Sequence, residues 1–395
     1  MKTFVGLDRR EEWTRLLRGK RIGLITNYSG VDACWRSNVE LFLGEGLHLV
    51  KLFTPEHGLF GALAGEEVSD TEHEEYHIPV ISLYGDRLHP DKEDFEGIDV
   101  LVYDIMDVGL RYYTYIYTMT YCMETAASCG LPFVVMDRPN PLGGRIVSGG
   151  VMNSRYASFI GDYGLPVRYG LTPGEMGYYY LRWKKIDLDY QVVPLGNYTR
   201  DTYFPDTGCL WNIPSPALAD YAATVCYAGG CFVGATSLSE GRGSSRPFQM
   251  YGAPFVRMGE FCKELERELE EELEKELWKE EVMLRQRAFV PLDRKYVGKV
   301  CYGVEFAPLK KDLDFIPIAL VLMRTAARLY PEDFNLPEHE KGGKKLDYLA
   351  GDSRAARYVE GKSSLRELLE EWKEEAEAFR EKTEDIRLYG AEKGL

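Results

Sequence analysis

The chain has 395 residues, of which 45% are hydrophobic and 28% are charged. This composition is typical of an ordinary globular protein and excludes a disordered or collagen-like chain, while the length favours two domains. The sequence holds 63 acidic residues against 48 lysines and arginines, for a net charge of −15. Nucleic acids and membrane surfaces are therefore expected to be poor partners, although a locally basic cleft is compatible with this total.

The sequence shows no sign of export or of a membrane span. Its first ten residues turn charged at once instead of continuing into an apolar stretch. No window approaches the ~18 consecutive apolar residues that a span needs. We therefore expect a cytoplasmic protein. The eight cysteines include no Cys-x-x-Cys pair, so we expect reduced and mostly buried thiols.

Short apolar runs alternate with helix-like segments in the first third of the chain. The runs are continuously hydrophobic, as in strands that helices cover on both faces, and the segment Tyr115–Cys129 between two of them has helical spacing. This alternation predicts an α/β fold with a doubly wound, mostly parallel sheet. The predicted strands lie at residues 21–26, 47–53, 80–84, 100–105 and 132–136.

The rest of the chain is less regular. Thr172 and Pro173 predict the start of a helix, because threonine caps a helix well and proline fits its first turn. A turn-rich segment at residues 241–254 precedes a domain boundary that we place near residue 255. An amphipathic helix with an acidic face is expected over residues 260–281. Further strands are expected at 190–194, 231–238, 283–290 and 301–306, and further helices at 316–329 and 363–382.

Polar clusters follow four of the predicted strands. In a doubly wound sheet, ligands bind outside the carboxyl ends of the strands, so these residues are the first candidates for a site. The convergence of carboxylates and arginines at one sheet edge predicts a polar, carboxylate-rich cleft. The clusters are Glu56 with His57; Asp104, Asp107 and Arg111; Asp137, Arg138 and Asn140; and Glu240 with Arg242.

Such a cleft suits the hydrolysis of a glycosidic bond. That reaction needs one carboxylic acid to protonate the leaving oxygen and a carboxylate to activate water or attack carbon. Glu56 is a good candidate for the acid, since its Pro-Glu-His-Gly sequence predicts a tight turn with apolar neighbours. The alternative for Glu56 is a surface carboxylate without a catalytic role.

Two interpretations stay open for the arginines and tyrosines of these clusters. Arg111, Arg138 and Arg242 either bind an anionic group of the substrate through the guanidinium fork or pair with nearby carboxylates. Tyr112 and its tyrosine neighbours either stack on a sugar ring or are ordinary half-buried helix residues.

Several well-known motifs do not fit. The sequence His-Glu-Glu-Tyr-His at residues 73–77 matches the zinc-protease pattern, but Pro79 and a predicted strand follow, so the required continuous helix is missing. The sequence also lacks a dinucleotide-binding Gly-x-Gly-x-x-Gly after the first strand, a phosphate-binding loop and a Gly-x-Ser-x-Gly elbow. We therefore expect no metal and no cofactor. A metal-dependent hydrolase built on His73 and His77 is the least favoured alternative.

Five motifs resemble, in the same order, those of the exo-β-N-acetylmuramidase family. These NamZ-like glycoside hydrolases were long catalogued as a domain of unknown function, and the likeness extends into the C-terminal region. The motifs are Thr-Pro-Glu-His-Gly at 54–58, Ser-Leu-Tyr-Gly at 82–85, Asp-Ile-Met-Asp-Val-Gly-Leu-Arg-Tyr-Tyr-Thr-Tyr at 104–115, Asp-Arg-Pro-Asn-Pro-Leu-Gly-Gly at 137–144 and Ser-Glu-Gly-Arg-Gly at 239–243.

The resemblance implies a Rossmann-like catalytic domain over residues 1–255 and a smaller α+β domain over residues 256–395 that completes the cleft. It also implies release of N-acetylmuramic acid from the non-reducing end of peptidoglycan-derived glycans, and the lactyl carboxylate of this sugar gives the arginines a purpose. The implied catalytic residues are Glu56, His57, Asp104 and Glu240, with Asp137 as a further candidate for the second carboxylate. The implied substrate-binding residues are Asp107, Arg111, Tyr112, Asp137, Arg138, Asn140 and Arg242.

Two positions depart from the family's pattern. Met106 stands where the family has Gln in its Asp-Ile-x-Asp motif, and Ala217 stands where it has Asn after Pro-Ser-Pro. A lost hydrogen bond to the substrate costs about 1–3 kcal/mol, which is enough to change the preferred sugar. A non-catalytic or altered-specificity amino-sugar-binding protein is therefore the alternative function. The lack of a signal peptide favours a role in recycling internalised wall fragments.

Overall fold

The computed structural model describes residues 2–61, 69–273 and 277–390, and a large, mostly parallel sheet forms its centre. The strands of this sheet are β1 (Arg21–Thr26), β2 (His48–Thr54), β3 (Thr71–Glu72), β4 (Pro79–Ser82), β5 (Val100–Asp104), β6 (Phe133–Met136) and β7 (Tyr190–Val193). They are arranged in the order β3-β4-β2-β1-β5-β6-β7. Every neighbouring pair is parallel except the edge pair β3 and β4.

A smaller antiparallel sheet follows later in the chain. It consists of β8 (Met250–Ala253), β9 (Val282–Phe289) and β10 (Cys301–Pro308) in the order β8-β10-β9. The helices are α1 (Arg10–Leu17), α2 (Asn38–Gly44), α3 (Tyr115–Cys129), α4 (Pro173–Lys184), α5 (Tyr221–Val233), α6 (Met258–Glu272), α7 (Leu277–Glu281), α8 (Ile316–Leu329), α9 (Lys345–Ala350), α10 (Arg354–Val359) and α11 (Leu365–Lys382). The predicted α/β class and mostly parallel sheet are therefore confirmed.

The strand order determines where a ligand can bind. β1 lies in the middle of the sheet, with β2 on one side and β5 on the other. The chain crosses from β1 to β2 in one direction and later reaches β5 in the opposite direction, so a crevice forms outside the carboxyl ends of the central strands. The residues that follow β2 and β5 therefore lie at the edge of the sheet where sites form.

Local sequence signals explain the ends of the main helices. Thr172 caps α4 through a capping box with Glu175, and Pro173 occupies the first turn, as predicted. α3 ends at Gly130, which adopts the left-handed conformation that glycine tolerates best. All five residues of β5 are buried, which agrees with a strand covered on both faces.

The strand predicted at residues 231–238 is absent. This segment is the last turn of α5 followed by tight turns, whereas β8 lies inside the segment predicted to be rich in turns. α5 is nearly all apolar, so its periodicity did not distinguish it from a buried strand. Gly229 allows close packing on α8, since a Cβ atom there would lie 2.5 Å from the Phe315 carbonyl oxygen.

Buried side chains connect the two parts of the molecule. One continuous apolar cluster extends from strand residues such as Tyr103 through α5 and α8 to Trp372 on α11. The domain boundary near residue 255 stays a prediction. Among the helices of residues 2–61, 69–273 and 277–390, none is long and apolar enough to cross a membrane.

Candidate active site

A cavity of about 200 Å³ opens beside the carboxyl end of β2. Segments that are far apart in the sequence come together around it, from both the large sheet and the smaller one. The lining residues are Glu56, His57, Tyr112, Tyr113, Thr114, Ser215, Pro216, Ala217, Tyr227, Arg242, Gly243, Asp293 and Arg294. Four of the predicted site residues, Glu56, His57, Tyr112 and Arg242, therefore share one cleft.

A tight turn after β2 presents Glu56 to the cleft. The Gly58 amide donates a hydrogen bond to the Pro55 carbonyl at 3.1 Å, and His57 takes a φ of 75°, the left-handed value that the third position of a type II turn requires. The predicted turn is therefore present. Non-glycine residues rarely adopt this conformation, so the local backbone is strained at a residue that lines the cavity.

Two hydroxyl groups fix the carboxylate of Glu56. Thr114 precedes α3 and donates from its Oγ1 to Glu56 Oε2 at 2.8 Å. The Tyr84 hydroxyl also bonds to Glu56, and burial together with the charge of Glu56 raises the pKa of Tyr84 to about 12. Tyr84 therefore keeps its proton at neutral pH and remains a donor. Neither Thr114 nor Tyr84 was predicted as a site residue.

A partly buried ion-pair network holds Arg242 at the wall of the cavity. Arg242 donates from Nε to Glu240 Oε1 at 3.0 Å, and its guanidinium group lies 4.8 Å from the centre of the Phe248 ring. Burial opposes its charge, but Glu240 and the other neighbouring groups together outweigh this effect, so the pKa of Arg242 is raised. Lys295 approaches Glu240 Oε2 at 3.4 Å, and burial lowers the pKa of Lys295. Glu240 thus supports Arg242 from behind and does not line the cavity itself.

The loop between β9 and β10 supplies two cleft residues that the sequence did not reveal, Asp293 and Arg294. Lys295 anchors this loop by donating to the carbonyl oxygens of Val233 at 3.1 Å and Leu238 at 2.6 Å. A Cβ atom at Gly243 would lie 2.6 Å from the Asp293 nitrogen, so only glycine allows this approach. A charged triplet between two strands resembles any solvated turn, so no sequence signal distinguished it.

The tyrosines form a wall of the cavity. Tyr112 donates its hydroxyl proton to the Tyr227 carbonyl at 2.9 Å, and Tyr113 donates to Pro214 at 2.5 Å. Both side chains are more than nine-tenths buried, so they do not offer the open stacking platform that was one interpretation of Tyr112. Their hydroxyl groups instead connect the cleft wall to α5 and to the segment that leads to Ala217.

Asp104 and Arg138, predicted to lie at the sugar site, form a buried pair outside the cleft. Arg138 donates from Nε to Asp104 Oδ1 at 2.6 Å, and Asn38 donates to Asp104 Oδ2 at 2.8 Å. Arg138 and Met106 border a separate cavity of about 40 Å³. The prediction that these residues line the sugar site therefore does not match their placement, because their polar atoms are used inside the protein.

Asp137 and Asn140 are also used internally. The carboxylate of Asp137 accepts four hydrogen bonds, from the amides of Arg138 and Gly174 and from the hydroxyl groups of Thr172 and Tyr389. Burial raises the pKa of Asp137 to about 7. Asn140 donates to the Leu171 carbonyl at 3.0 Å. Both residues hold the loop after β6 against α4. They were predicted to line the sugar site, but neither of them lines the cleft.

Asp107 and Arg111 are fully buried on the same side of the sheet. Asp107 accepts from the Gly109 amide at 2.7 Å and from the Tyr169 hydroxyl, and burial raises its pKa to about 6. Arg111 donates to the carbonyl oxygens of Gly150, Leu165 and Leu349, and burial lowers its pKa to about 10. Arg111 thus connects the segment after β5 with α9 through hydrogen bonds. It was predicted to contact the substrate, but its donors bind backbone carbonyls instead.

The histidine motif at residues 73–77 has no helical structure, as predicted. The segment is a turn, His77 takes a φ of 52°, and its Nδ1 lies 2.7 Å from Glu72. Within the described part of the chain, no three side chains of the metal-binding types cluster in a geometry that could hold an ion.

Comparison with known proteins identifies the family to which these motifs belong. The N-terminal model of exo-β-N-acetylmuramidase NamZ matches residues 22–222, and the C-terminal model matches residues 225–389. The chain belongs to the NamZ family. The peptidoglycan β-N-acetylmuramidase NamZ of Bacillus subtilis strain 168 is 36% identical over 381 residues, which cover 96% of this chain and 89% of that protein.

Two solved structures from Bacteroides fragilis NCTC 9343 share the whole architecture, and both are described as DUF1343 family proteins. The first is 28% identical with a TM-score of 0.85 and covers 98% of this chain and 99% of its own. The second is 25% identical with a TM-score of 0.74 and covers 99% of this chain and 100% of its own. The resemblance drawn from the sequence motifs is therefore confirmed for family and fold.

Proposed function

We propose that this chain is an exo-acting glycoside hydrolase that releases terminal N-acetylmuramic acid from peptidoglycan-derived glycans. Membership of the NamZ family supports this function. The observation that carries the proposal to individual residues is that Glu56, from the turn after β2, and Arg242, from the turns before β8, line one cavity. A carboxylic acid and a guanidinium group at one site fit a reaction on a sugar that itself carries a carboxylate.

In this proposal, Glu56 is the general acid. Its protonated carboxyl group gives a proton to the glycosidic oxygen as the bond to the anomeric carbon breaks, and the aglycone leaves as an alcohol. Thr114 and Tyr84 orient the carboxyl group through their hydroxyl groups. His57, held beside Glu56 by the strained turn, is the second polar group at this end of the cavity.

Two groups are available for attack at the anomeric carbon. Asp293 is a second carboxylate among the described residues of the cleft, and it can remove a proton from the attacking water. The acetamido oxygen of the substrate is the other group: it bonds to the anomeric carbon as the aglycone leaves, and water then opens the resulting oxazolinium ion to give N-acetylmuramic acid. Activity that survives in Asp293→Asn favours the acetamido group, whereas loss of turnover with unchanged substrate binding favours Asp293.

Hydrolysis of a chromogenic β-N-acetylmuraminide tests the proposed function directly. We expect the wild type to release the chromophore and free N-acetylmuramic acid, and to be much less active on the matching β-N-acetylglucosaminide, which lacks the lactyl carboxylate. Absence of turnover on both compounds would contradict the function. If the protein hydrolysed only the glucosaminide, it would still be a glycoside hydrolase, but the proposed specificity for N-acetylmuramic acid would be wrong.

A sugar-binding protein of altered specificity is the second candidate, and Ala217 is the observation that favours it. Ala217 lines the cleft, so an amide missing here is missing at the site itself. Met106 borders the separate small cavity instead. Calorimetry distinguishes the candidates. If the protein binds N-acetylmuramic acid but does not hydrolyse the chromogenic compound, it is a binding protein only.

The thiols support a reducing compartment, and we infer a cytoplasmic role in recycling. All eight cysteines are free. Cys122, Cys226, Cys262 and Cys301 are buried, and disulfides are rare where glutathione and thioredoxin keep thiols reduced. Cell fractionation tests this inference. Recovery of the protein with a cytoplasmic marker supports it, and recovery in the medium contradicts it.

A further inference from the structure

One face of the smaller sheet carries three arginines around a single carboxylate. Arg285 and Arg287 are two positions apart on β9 and therefore project from the same side of this edge strand. Arg246 reaches the same place from the loop before β8. The buried carboxylate of Glu305 lies 2.8 Å from Arg285, 3.5 Å from Arg246 and 3.7 Å from Arg287.

Packing does not require so much positive charge. In the ladder, Glu305 faces Arg285, whereas Gly303, which has no side chain, faces Arg287. Each of the three arginine side chains is at least 45% exposed. A single guanidinium group would suffice to pair with Glu305, and exposed like charges repel each other. Among the described residues, Glu305 is the one carboxylate within 4 Å of these three guanidinium groups, so two positive charges remain unbalanced on this face of a chain whose net charge is −15.

Two observations connect this charged face with the active-site cleft. Arg294, which lines the cavity from the β9–β10 loop, is 58% exposed and lies 3.9 Å from the Asp293 carboxylate. The Arg246 carbonyl lies 3.4 Å from where a Cβ atom of Gly241 would be, directly before Arg242 in the chain. We call the set Arg246, Arg285, Arg287 and Arg294 the arginine face. Arg246 connects this set to the cleft, because its backbone lies beside the turn that carries Arg242 and its side chain lies beside Glu305.

We propose that the arginine face binds the carboxylate-bearing glycan beyond the scissile bond. The proposal rests on the proposed function, in which the cavity takes the terminal sugar and the remaining chain leaves through the cleft mouth. Every further muramyl unit without an attached peptide carries a free lactyl carboxylate, which pairs with exposed guanidinium groups. Such pairs lie in solvent, so they improve substrate capture, weaken with salt and leave the chemical step unchanged.

Three substrates test this inference. The first is the chromogenic β-N-acetylmuraminide, which has no carboxylate beyond the bond. The second is a tetrasaccharide of alternating muramyl and glucosaminyl units with a muramyl terminus, and the third is the same tetrasaccharide with its inner carboxylate amidated. We expect Arg285→Gln with Arg287→Gln to raise KM about threefold to tenfold for the charged tetrasaccharide only, with kcat unchanged.

Charge and not shape should determine the effect. The double variant Arg285→Lys with Arg287→Lys retains the charges and should restore most of the lost affinity, while Arg366→Gln, on the exposed side of α11, should change nothing. Raising NaCl from about 50 mM to about 300 mM should increase KM of the wild type for the charged tetrasaccharide and hardly affect the amidated one.

The outcomes separate this inference from the proposed function. Equal losses on all three substrates, or no change on the charged tetrasaccharide, would overturn the binding role of the arginine face. If the wild type hydrolyses none of them, the proposed function fails, and calorimetry with the two tetrasaccharides still tests the face. The inference is supported if the wild type binds the charged tetrasaccharide more tightly than the amidated one and the double glutamine variant loses this preference. Equal binding of both tetrasaccharides by the wild type contradicts it.

Discussion

The carboxyl edge of the large sheet holds two polar regions that look alike in sequence and differ in the folded chain. Glu56 and Arg242 are half-buried around a cavity of about 200 Å³. Asp104 ends β5 and Arg138 lies just after β6, but both are buried and their polar atoms bind each other, Asn38 and the Val31 carbonyl. A carboxylate–arginine motif therefore marks the edge of the sheet without telling which members face a substrate.

The two regions differ in how many internal donors each carboxylate accepts. Asp137 accepts four hydrogen bonds from the protein, and such a group has no acceptor capacity left for a ligand. Glu56, in contrast, accepts hydrogen bonds from Thr114 and Tyr84 and also lines the cavity. A carboxylate whose oxygens are fully hydrogen-bonded within the protein stabilises the fold. A carboxylate with free acceptor capacity beside a cavity can react with a ligand.

The largest effect is expected from breaking the buried region. Asp104→Asn leaves the Arg138 guanidinium buried beside a neutral amide, which should cost about 3–5 kcal/mol of unfolding free energy. The folded fraction should keep its kcat, since Asp104 does not line the cleft. Denaturant unfolding and turnover of the chromogenic muraminide measure both quantities.

The exposed pair of Asp99 and Arg21 offers the matched control for this change. Asp99→Asn should hardly alter the unfolding free energy, because solvent screens the pair. If Asp104→Asn abolished turnover while leaving the unfolding free energy unchanged, Asp104 would act on substrate and the contrast between the two regions would be lost.

A smaller effect is expected from the titration of Asp107, whose pKa burial raises from 3.8 to about 6. Between these values the unfolded state ionises first, so the stabilising effect of Asp107 is complete below pH 4 and is lost as the pH rises through 6. Between pH 4 and pH 7, the unfolding free energy of Asp107→Asn should therefore rise by about 2–3 kcal/mol relative to that of the wild type.

Unfolding free energies across that pH range check this prediction, with Asp187→Asn as an exposed control. Asp107→Asn keeps an oxygen to accept from Gly109 and Tyr169, so the fold should be retained. A difference between variant and wild type that does not change with pH would show that Asp107 ionises normally.

The smallest of these effects sharpens the role of the cleft. Arg242→Gln should raise KM for the chromogenic muraminide about tenfold to a hundredfold, because a charge-assisted bond to the lactyl carboxylate is lost. Inhibition by N-acetylmuramic acid should weaken by the same factor, and inhibition by its methyl ester should change little. Equal weakening for acid and ester would show that Arg242 does not recognise the carboxylate.

The sequence predicted the mostly parallel sheet and one half of the candidate site. Continuous apolar runs located β1, β2, β5 and β6, and the Pro-Glu-His-Gly sequence located the turn that carries Glu56. The depth of each polar residue could not be predicted, because it depends on partners that are distant in the chain. Asn38 donates a hydrogen bond to Asp104 from 66 positions away, and Tyr389 donates one to Asp137 from 252 positions away.

The other half of the site depends on contacts between sheets. Glu240 and Arg242 were assigned to a strand end that is in fact a turn after α5, yet Arg242 still lines the cavity, with Glu240 behind it. Asp293 and Arg294 were not predicted, because only the docking of Lys295 on the Val233 and Leu238 carbonyls brings their loop to the cavity.

Turnover by Glu56→Gln tests the central claim most directly. We predict that kcat on the chromogenic muraminide falls about a hundredfold to ten-thousandfold, with unchanged thermal unfolding, because the amide cannot protonate the leaving oxygen. Glu72→Gln, outside the cleft, should retain the wild-type rate. A Glu56→Gln variant that turns over as fast as the wild type would contradict the placement of the chemistry at this carboxylate.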